Sequence, residues 1–232
     1  MKRYGQFCPI AKAAEVFCTR WTPLILRDLA GGATRFSDLQ RGVPLASPSV
    51  LSARLKELEA EGIVERHKSP SGRSWTYHLT PAGADFAPIV LALGTWGQHW
   101  SRRDLAEDEM DLDLLLWAME KNCDPRAFGA GRTVVELGLT DQPAHKARWW
   151  FLNEAGRCEL CVHDPGFEVD LYLASDLATL IYIWRGEVTL TAARGDGRIE
   201  VDGSRPARDA LARWLRPGPL ADVPSLRAAA RG

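Results

Sequence analysis

Apolar residues recur at helical spacing through most of the first hundred positions. Between residues 7 and 29, Ile10, Val16, Leu24, Ile25 and Leu29 follow a 3.6-residue period. Pro23 falls in the first turn of a second helix, where its missing N–H costs little, and Gly31-Gly32 ends that helix. RFSDLQRGV predicts a short helix with Ser37 as N-cap. SPSVLSARLKELEAEG predicts a well-marked one, with Ser47 as N-cap, Pro48 at the first helical position and Gly62 past the last turn. Leu51, Leu55 and Leu58 then lie on one side of that helix, and Ser49, Ser52 and Lys56 on the other.

The period changes after Gly62. IVERH and SWTYHL alternate like strands around the turn cluster Ser69-Pro70-Ser71-Gly72, which predicts a β-hairpin. PAGADFAPIVLALGTWGQHW returns to helix, with Pro81 near its start. Helix–turn–helix followed by a hairpin is the winged-helix arrangement. SRRDLAEDEMD, polar and charged, reads as a linker. Beyond it LDLLLWAMEK is helical, whereas TVVELGL, ARWWFLNE, RCELCVH and FEVDLYLA alternate. SDLATLIYIWRGE is a helix with Ser175 as cap, IEVD a strand and RPARDALARWL a last helix. The fold class expected is α+β: a winged helix-turn-helix domain over 1–100, a linker over 101–110, an α/β domain over 111–218 and a loosely ordered tail over 219–232.

Charge sharpens this division. The net charge of −1 hides a split, +4 over residues 1–100 and −5 over the rest. A polyanion-binding half joined to an acidic half fits that asymmetry. Five scattered cysteines make no disulfide framework and suit a reducing compartment. No stretch approaches the roughly 18 apolar residues of a membrane span, and the N-terminus lacks a signal-peptide core. The expected location is therefore cytoplasmic, without a membrane partner.

A helix whose outer face is small, hydroxyl-bearing and cationic suits the major groove of B-DNA, which accepts one α-helix. Ser47, Ser49 and Ser52 are candidate phosphate or base contacts, with Arg54 and Lys56 supplying charge to the backbone or to guanine. Arg35 and Ser37, opening the preceding helix, are candidates for holding a phosphate. Lys68 and Arg73 flank the hairpin tip, within reach of the adjacent minor groove.

CPIAKAAEVFCTRWTPLILRDL, RFSDLQRGVP, SPSVLSARLKELEAEGIVERH and YHLTPAG resemble the HxlR-type winged-helix regulators, relatives of the MarR group. The resemblance covers about the first hundred residues. It implies a homodimer that grips a palindromic double-stranded DNA operator, with Phe7–Val16 and Phe86–Trp100 making the dimer contact. Ile89, Leu93 and Trp96 give the second segment an apolar stripe to bury. Some members sense oxidants or electrophiles through a cysteine placed like Cys8. The physical case here is a thiolate stabilised near Lys2, Arg3 or Lys12.

The second half, through DPGFEVDLYLASDLATLIYIWRGE and GRIEVDG, resembles the sterol-carrier-protein-like domain found behind some of these regulators. That implies an α/β layer with an apolar tunnel for a small apolar or amphipathic effector. Trp117, Trp149, Phe151, Tyr172, Tyr182 and Trp184 are the candidate lining. Cys158-Glu-Leu-Cys161 with His163 suggests metal or redox chemistry, but in a strand the two thiols point to opposite faces, so packing is the expected role. No Gly-x-Ser-x-Gly, phosphate-cradling glycine loop or His-Glu-x-x-His occurs, so neither catalytic residue nor cofactor is expected. The leading reading is a dimeric, ligand-responsive transcriptional repressor. Its rivals are a thiol switch through Cys8, and a lipid carrier or small enzyme with a vestigial winged helix.

Overall fold

In the computed structural model, which describes residues 4–69, 72, 74–101 and 104–226, the chain divides into two units between Gly97 and Gln98. The first runs α1 (Pro9–Phe17), α2 (Thr22–Ala30), α3 (Phe36–Gly42), α4 (Pro48–Ala60), β1 (Val64–Lys68), β2 (Trp75–Leu79), α5 (Pro81–Ala84) and α6 (Ala87–Trp96). Pro23 sits in the first turn of α2 and Gly31 caps its end. Ser47 caps α4, accepting a hydrogen bond from the Val50 amide at 3.3 Å, and Gly62 takes the left-handed φ of +69° that closes the following turn.

Two local expectations need correction. Ser37 does not cap α3; Arg35 is the N-cap residue. The reason is that Arg35 is still extended, bridged to Thr76, while the Tyr77 amide donates to the Thr34 carbonyl at 2.8 Å. Helix begins only at Phe36, leaving Ser37 inside the first turn. Nor is the segment from Pro81 one helix. Pro88 has no N–H for the carbonyl of Ala84, so α5 stops there, α6 starts at Ala87, and a π-type turn follows over Gly97–Ser101.

The core of this unit is Ile25, Leu26 and Leu29 of α2, Leu39 of α3 and Leu51, Leu55 and Leu58 of α4. The α2–α3 junction is also polar. Asp28 is buried, and its Oδ1 accepts from Arg27 Nε at 2.7 Å. Arg27 Nη2 donates to the Gly42 carbonyl at 3.0 Å. A Cβ on Gly42 would fall inside the Asp28 carboxylate, so only glycine lets the two helices approach this closely.

The second unit runs α7 (Leu112–Asn122), β3 (Thr133–Leu139), β4 (Arg148–Glu154), β5 (Arg157–Cys161), β6 (Leu171–Ser175), α8 (Leu177–Trp184), α9 (Leu190–Gly195), β7 (Ile199–Gly203) and α10 (Arg205–Trp214). The sheet order is β5-β4-β3-β6-β7, with β3 and β6 parallel and every other pair antiparallel. Leu160, Phe151, Val135 and Leu171 form one cross-strand row facing the core. α7, α8, α9 and α10 all contribute to that core. Cys161, Trp150, Glu136, Tyr172 and Asp202 form the next row, on the opposite face. Trp214 is fully buried; its Nε1 donates to Asn153 Oδ1 at 2.7 Å and its ring meets Phe151 edge-on at 5.4 Å.

Here too the sequence reading shifts. FEVD is not strand: the carboxylate of Asp170 accepts the Val134 amide at 2.9 Å, and pairing begins at Leu171. Asp176, not Ser175, caps α8, accepting from the Thr179 amide at 2.7 Å, while Ser175 donates to the Arg198 carbonyl. The segment after 218 is not loosely ordered as far as Leu226. Gly218 N donates to the Trp184 carbonyl at 2.6 Å, Gln98 Nε2 to that of Leu220 at 3.0 Å, and Leu226 N to that of His99 at 3.0 Å.

Replacing Gly42 by Ala should destabilise the first unit by about 1–3 kcal/mol, the usual cost of forcing atoms into a packed interior, read from urea unfolding. A pH effect follows from Asp28, whose carboxyl is pushed up from the ordinary 3.8 by burial, against the opposing pull of Arg27. A raised folded-state pKa gives stability present below 3.8 and lost as pH rises through the raised value. Asp28→Asn should therefore gain on wild type in urea midpoint between pH 3.5 and 7; a pH-independent difference would contradict the assignment.

Candidate nucleic-acid interface

Burial of Leu51, Leu55 and Leu58 fixes which way α4 faces. At 100° per residue the opposite side carries Ser49, Ala53 and Lys56, all exposed, with half-buried Ser52 on the flank. Ser47 Oγ is engaged as the cap and lies 3.0 Å from Ser49 Oγ. The helix thus presents a low, hydroxylated N-terminal end and a lysine one turn further along.

Arg54 does not belong to that surface. Its position lies beside the leucine row, its side chain is only 16 % exposed, and it is paired with Glu57. It lies with Val16, Thr22 and Leu58 around a small cleft, and its Nε is buried without an acceptor among the described residues. Arg35 and Ser37 are exposed at the start of α3. Lys68 ends β1, its Nζ 5.8 Å from the ring centre of Trp75. Arg73 lies outside the described residues, as do Pro70 and Ser71.

Three residues of this candidate surface lie outside the sequence reading. Ala53 lies at the centre of the outer face of α4, overlooked because it bears no polar atom. Arg66 and Trp75 sit on the hairpin, with the Arg66 guanidinium 4.7 Å from the indole centre. The register Arg66↔Tyr77 and Lys68↔Trp75 puts them on one face, a placement already implicit in the alternation of the two strands.

A second surface is apolar. Neither α1 nor α6 buries a residue, and Phe7, Ile10, Ile89, Leu91, Leu93 and Trp96 are all exposed. Ile89, Leu93 and Trp96 fall on one helical stripe. Phe17, at the end of α1, and Phe86, the N-cap residue of α6, stack at 5.3 Å. Cys8, half-buried, is the N-cap residue of α1; Lys12 reaches Glu15 at 3.5 Å, and Lys2 and Arg3 lie outside the described residues.

The six aromatics of the second unit do not share one surface. Trp149 and Phe151 face the core from β4, whereas Tyr172 stands on the other sheet face, exposed. Tyr182 and Trp184 are half-buried on α8, and Trp117 is buried on α7. The indole N–H groups of Trp117 and Trp184 are buried without an acceptor among the described residues. Cys158 faces the core opposite Asn153, and Cys161 the other way opposite Trp150, as strand geometry predicts. A hydrogen bond with Cys123, then burial, pushes the Cys158 thiol well up from its ordinary range. No group of His, Cys, Asp or Glu among the described residues could hold a metal ion, and no helix there is long and apolar enough to cross a membrane.

Residues 16–105 match the family of HxlR-like helix-turn-helix proteins. The uncharacterized HTH-type transcriptional regulator YvaP of Bacillus subtilis is 39% identical over 98 residues, 41% of this chain and 91% of that protein. An uncharacterized HTH-type transcriptional regulator of Mycobacterium tuberculosis strain H37Rv is 35% identical over 137 residues, 58% of this chain and 84% of that one. Among solved structures, the redox regulator HypR in its oxidized form is 32% identical, covering 42% of this chain and all of that one with a TM-score of 0.39. With α4 displaying its polar face beside a basic hairpin, and with nine-tenths of YvaP matched, the chain belongs to the HxlR family of helix-turn-helix, DNA-binding transcriptional regulators.

Proposed function

We propose that this regulator acts as a homodimer, joined through α1 and α6, that represses transcription from a palindromic operator. The observation carrying the reading is the pair of helices without a buried residue: α6 exposes Ile89, Leu91, Leu93 and Trp96 within about two turns, the kind of clustered apolar surface that marks an interface. A two-fold axis there repeats α4, and two recognition helices read half-sites roughly 34 Å apart. Ser49, Ser52 and Ala53 allow close approach to base edges, Lys56 and Lys68 meet phosphate, and Arg35 and Ser37 stand at the backbone beside them.

The second unit is read as the effector domain, of the sterol-carrier-like type. Its α/β layer supports this, and so do the acceptor-less indole N–H groups of Trp117 and Trp184, which suit a ligand that is apolar with a few acceptor oxygens. Such a ligand regulates only if it binds the DNA-competent and DNA-incompetent dimers unequally. Titration with a fluorescent fatty acid, followed by DNA binding, tests this part; saturable binding that leaves DNA affinity unchanged would refute it.

Selection of duplexes from a random-sequence pool tests the operator. The expected result is a palindrome with half-sites one helical turn apart; no enrichment would overturn the reading. Leu93→Lys should convert a dimer into a monomer by sedimentation equilibrium and lower affinity for the selected duplex by at least tenfold. Lys56→Ala should reduce the slope of log affinity against log salt by about one, the signature of a lost phosphate contact. Arg54→Ala should leave that slope unchanged, because its guanidinium is turned away and paired with Glu57.

A further inference from the structure

The hairpin carries a partly exposed aromatic residue toward its tip. One of its faces bears Val64 and Leu79, then Arg66 and Tyr77, then Lys68 and Trp75. The face is anchored at its base, where Val64 is buried, and runs outward to Trp75, which is 42 % exposed. Arg66 links it to α4: its Nε lies 2.9 Å from Glu59 Oε1 and its guanidinium 4.7 Å from the Trp75 ring centre. Lys68, directly across the strand pair, lies 5.8 Å from the same ring. An indole held by two cations, one of them tied to the recognition helix, is fixed in place before any ligand arrives.

We infer that Trp75 is an uncharged DNA contact of the wing, packing its indole against the sugars and base edges of the minor groove beside each half-site, with Arg66 as its positioning residue. This rests on the operator reading given above. Two observations select nucleic acid as the occupant. The indole is flanked by Lys68, whose charge matches phosphate and repels a cationic partner, while the Arg66 charge is taken up by Glu59. Its face is also the one joined to α4 through the Arg66–Glu59 pair, which holds the indole beside the helix proposed to enter the major groove. Aromatic contact with a base or sugar is apolar and releases no counterions, whereas Lys68 acts through charge. The two contributions therefore separate by salt dependence.

The test uses full-length protein and a duplex selected by it from a random pool. Trp75→Ala should bind about tenfold more weakly at every salt concentration with the salt slope unchanged, Trp75→Phe should keep most of the affinity, and Lys68→Ala should lower the slope by about one. Arg66→Ala should weaken binding of wild type but add little to Trp75→Ala. Tryptophan fluorescence gives a second reading, since quenching by the duplex should be smaller in Trp75→Phe than in wild type. Trp75→Ala binding like wild type, a loss that appears wholly as a reduced slope, or equal quenching in Trp75→Phe would each overturn the inference. Failure of wild type to select any duplex would overturn the operator reading itself.

Discussion

The orientation of α4 depends on three leucines. Leu51, Leu55 and Leu58 are each essentially removed from water, and every outward-facing group on the helix is placed by that burial. Each such side chain contributes about 1.5–3 kcal/mol relative to exposure, so rotating the helix by even one position would cost more than any single DNA contact returns. The polar devices around it refine the same arrangement. Ser47 sets where the helix starts, and Glu59 reaches Arg66 to fix the hairpin against its far end. Asp28 and Gly42 set how closely α2 meets α3. The outward chemistry of α4 is thus the by-product of a packing solution, and that surface can vary while the scaffold stays fixed.

The elements that were legible in the sequence are those whose signals are local. Ser47-Pro48, Pro23 and Gly31-Gly32 mark helix ends by backbone chemistry that needs no distant partner, and the structure places them where the sequence does. The misreadings share another cause, which is that a tertiary partner decided the outcome. Ser37 loses the cap because Arg35 is held extended by Thr76 of the hairpin, and FEVD leaves the sheet because the Asp170 side chain takes an amide of β3. Arg54 reads as a DNA contact from its charge alone, although its angular position beside Leu55 places it on the flank, where it pairs with Glu57. Trp75 is not legible as a surface residue from the sequence, because an aromatic residue in an alternating strand carries no sign of which side of the hairpin is open.

The second unit shows how a core can be specified by one polar contact. Trp214 and Asn153 meet at 2.7 Å in the buried interior, and Asn153 Nδ2 donates to the carbonyls of Thr133 and Phe151. An indole N–H and an amide with all their partners inside the protein lock α10 to β3 and β4 in one register, since any slip would strand a buried donor. The aromatic richness of this half, which suggested a cavity lining, is partly this keystone: Phe151 closes on Trp214 and is unavailable to anything else.

The closing stretch of the chain has a practical bearing. Asn122 Nδ2 donates to the carbonyls of Arg216 and Pro217, His99 Nδ1 pairs with that of Pro224, and Gly218 sits against the ring of Trp184, too close for any side chain. A protein shortened at the boundary that composition suggests, after residue 218, would therefore strip the Gln98 and His99 side chains of their acceptors. The stretch from Gly218 to Leu226 is thus part of the second unit's packing, and a shortened protein keeps that unit's hydrogen bonds only if it retains Leu220, Pro224 and Leu226.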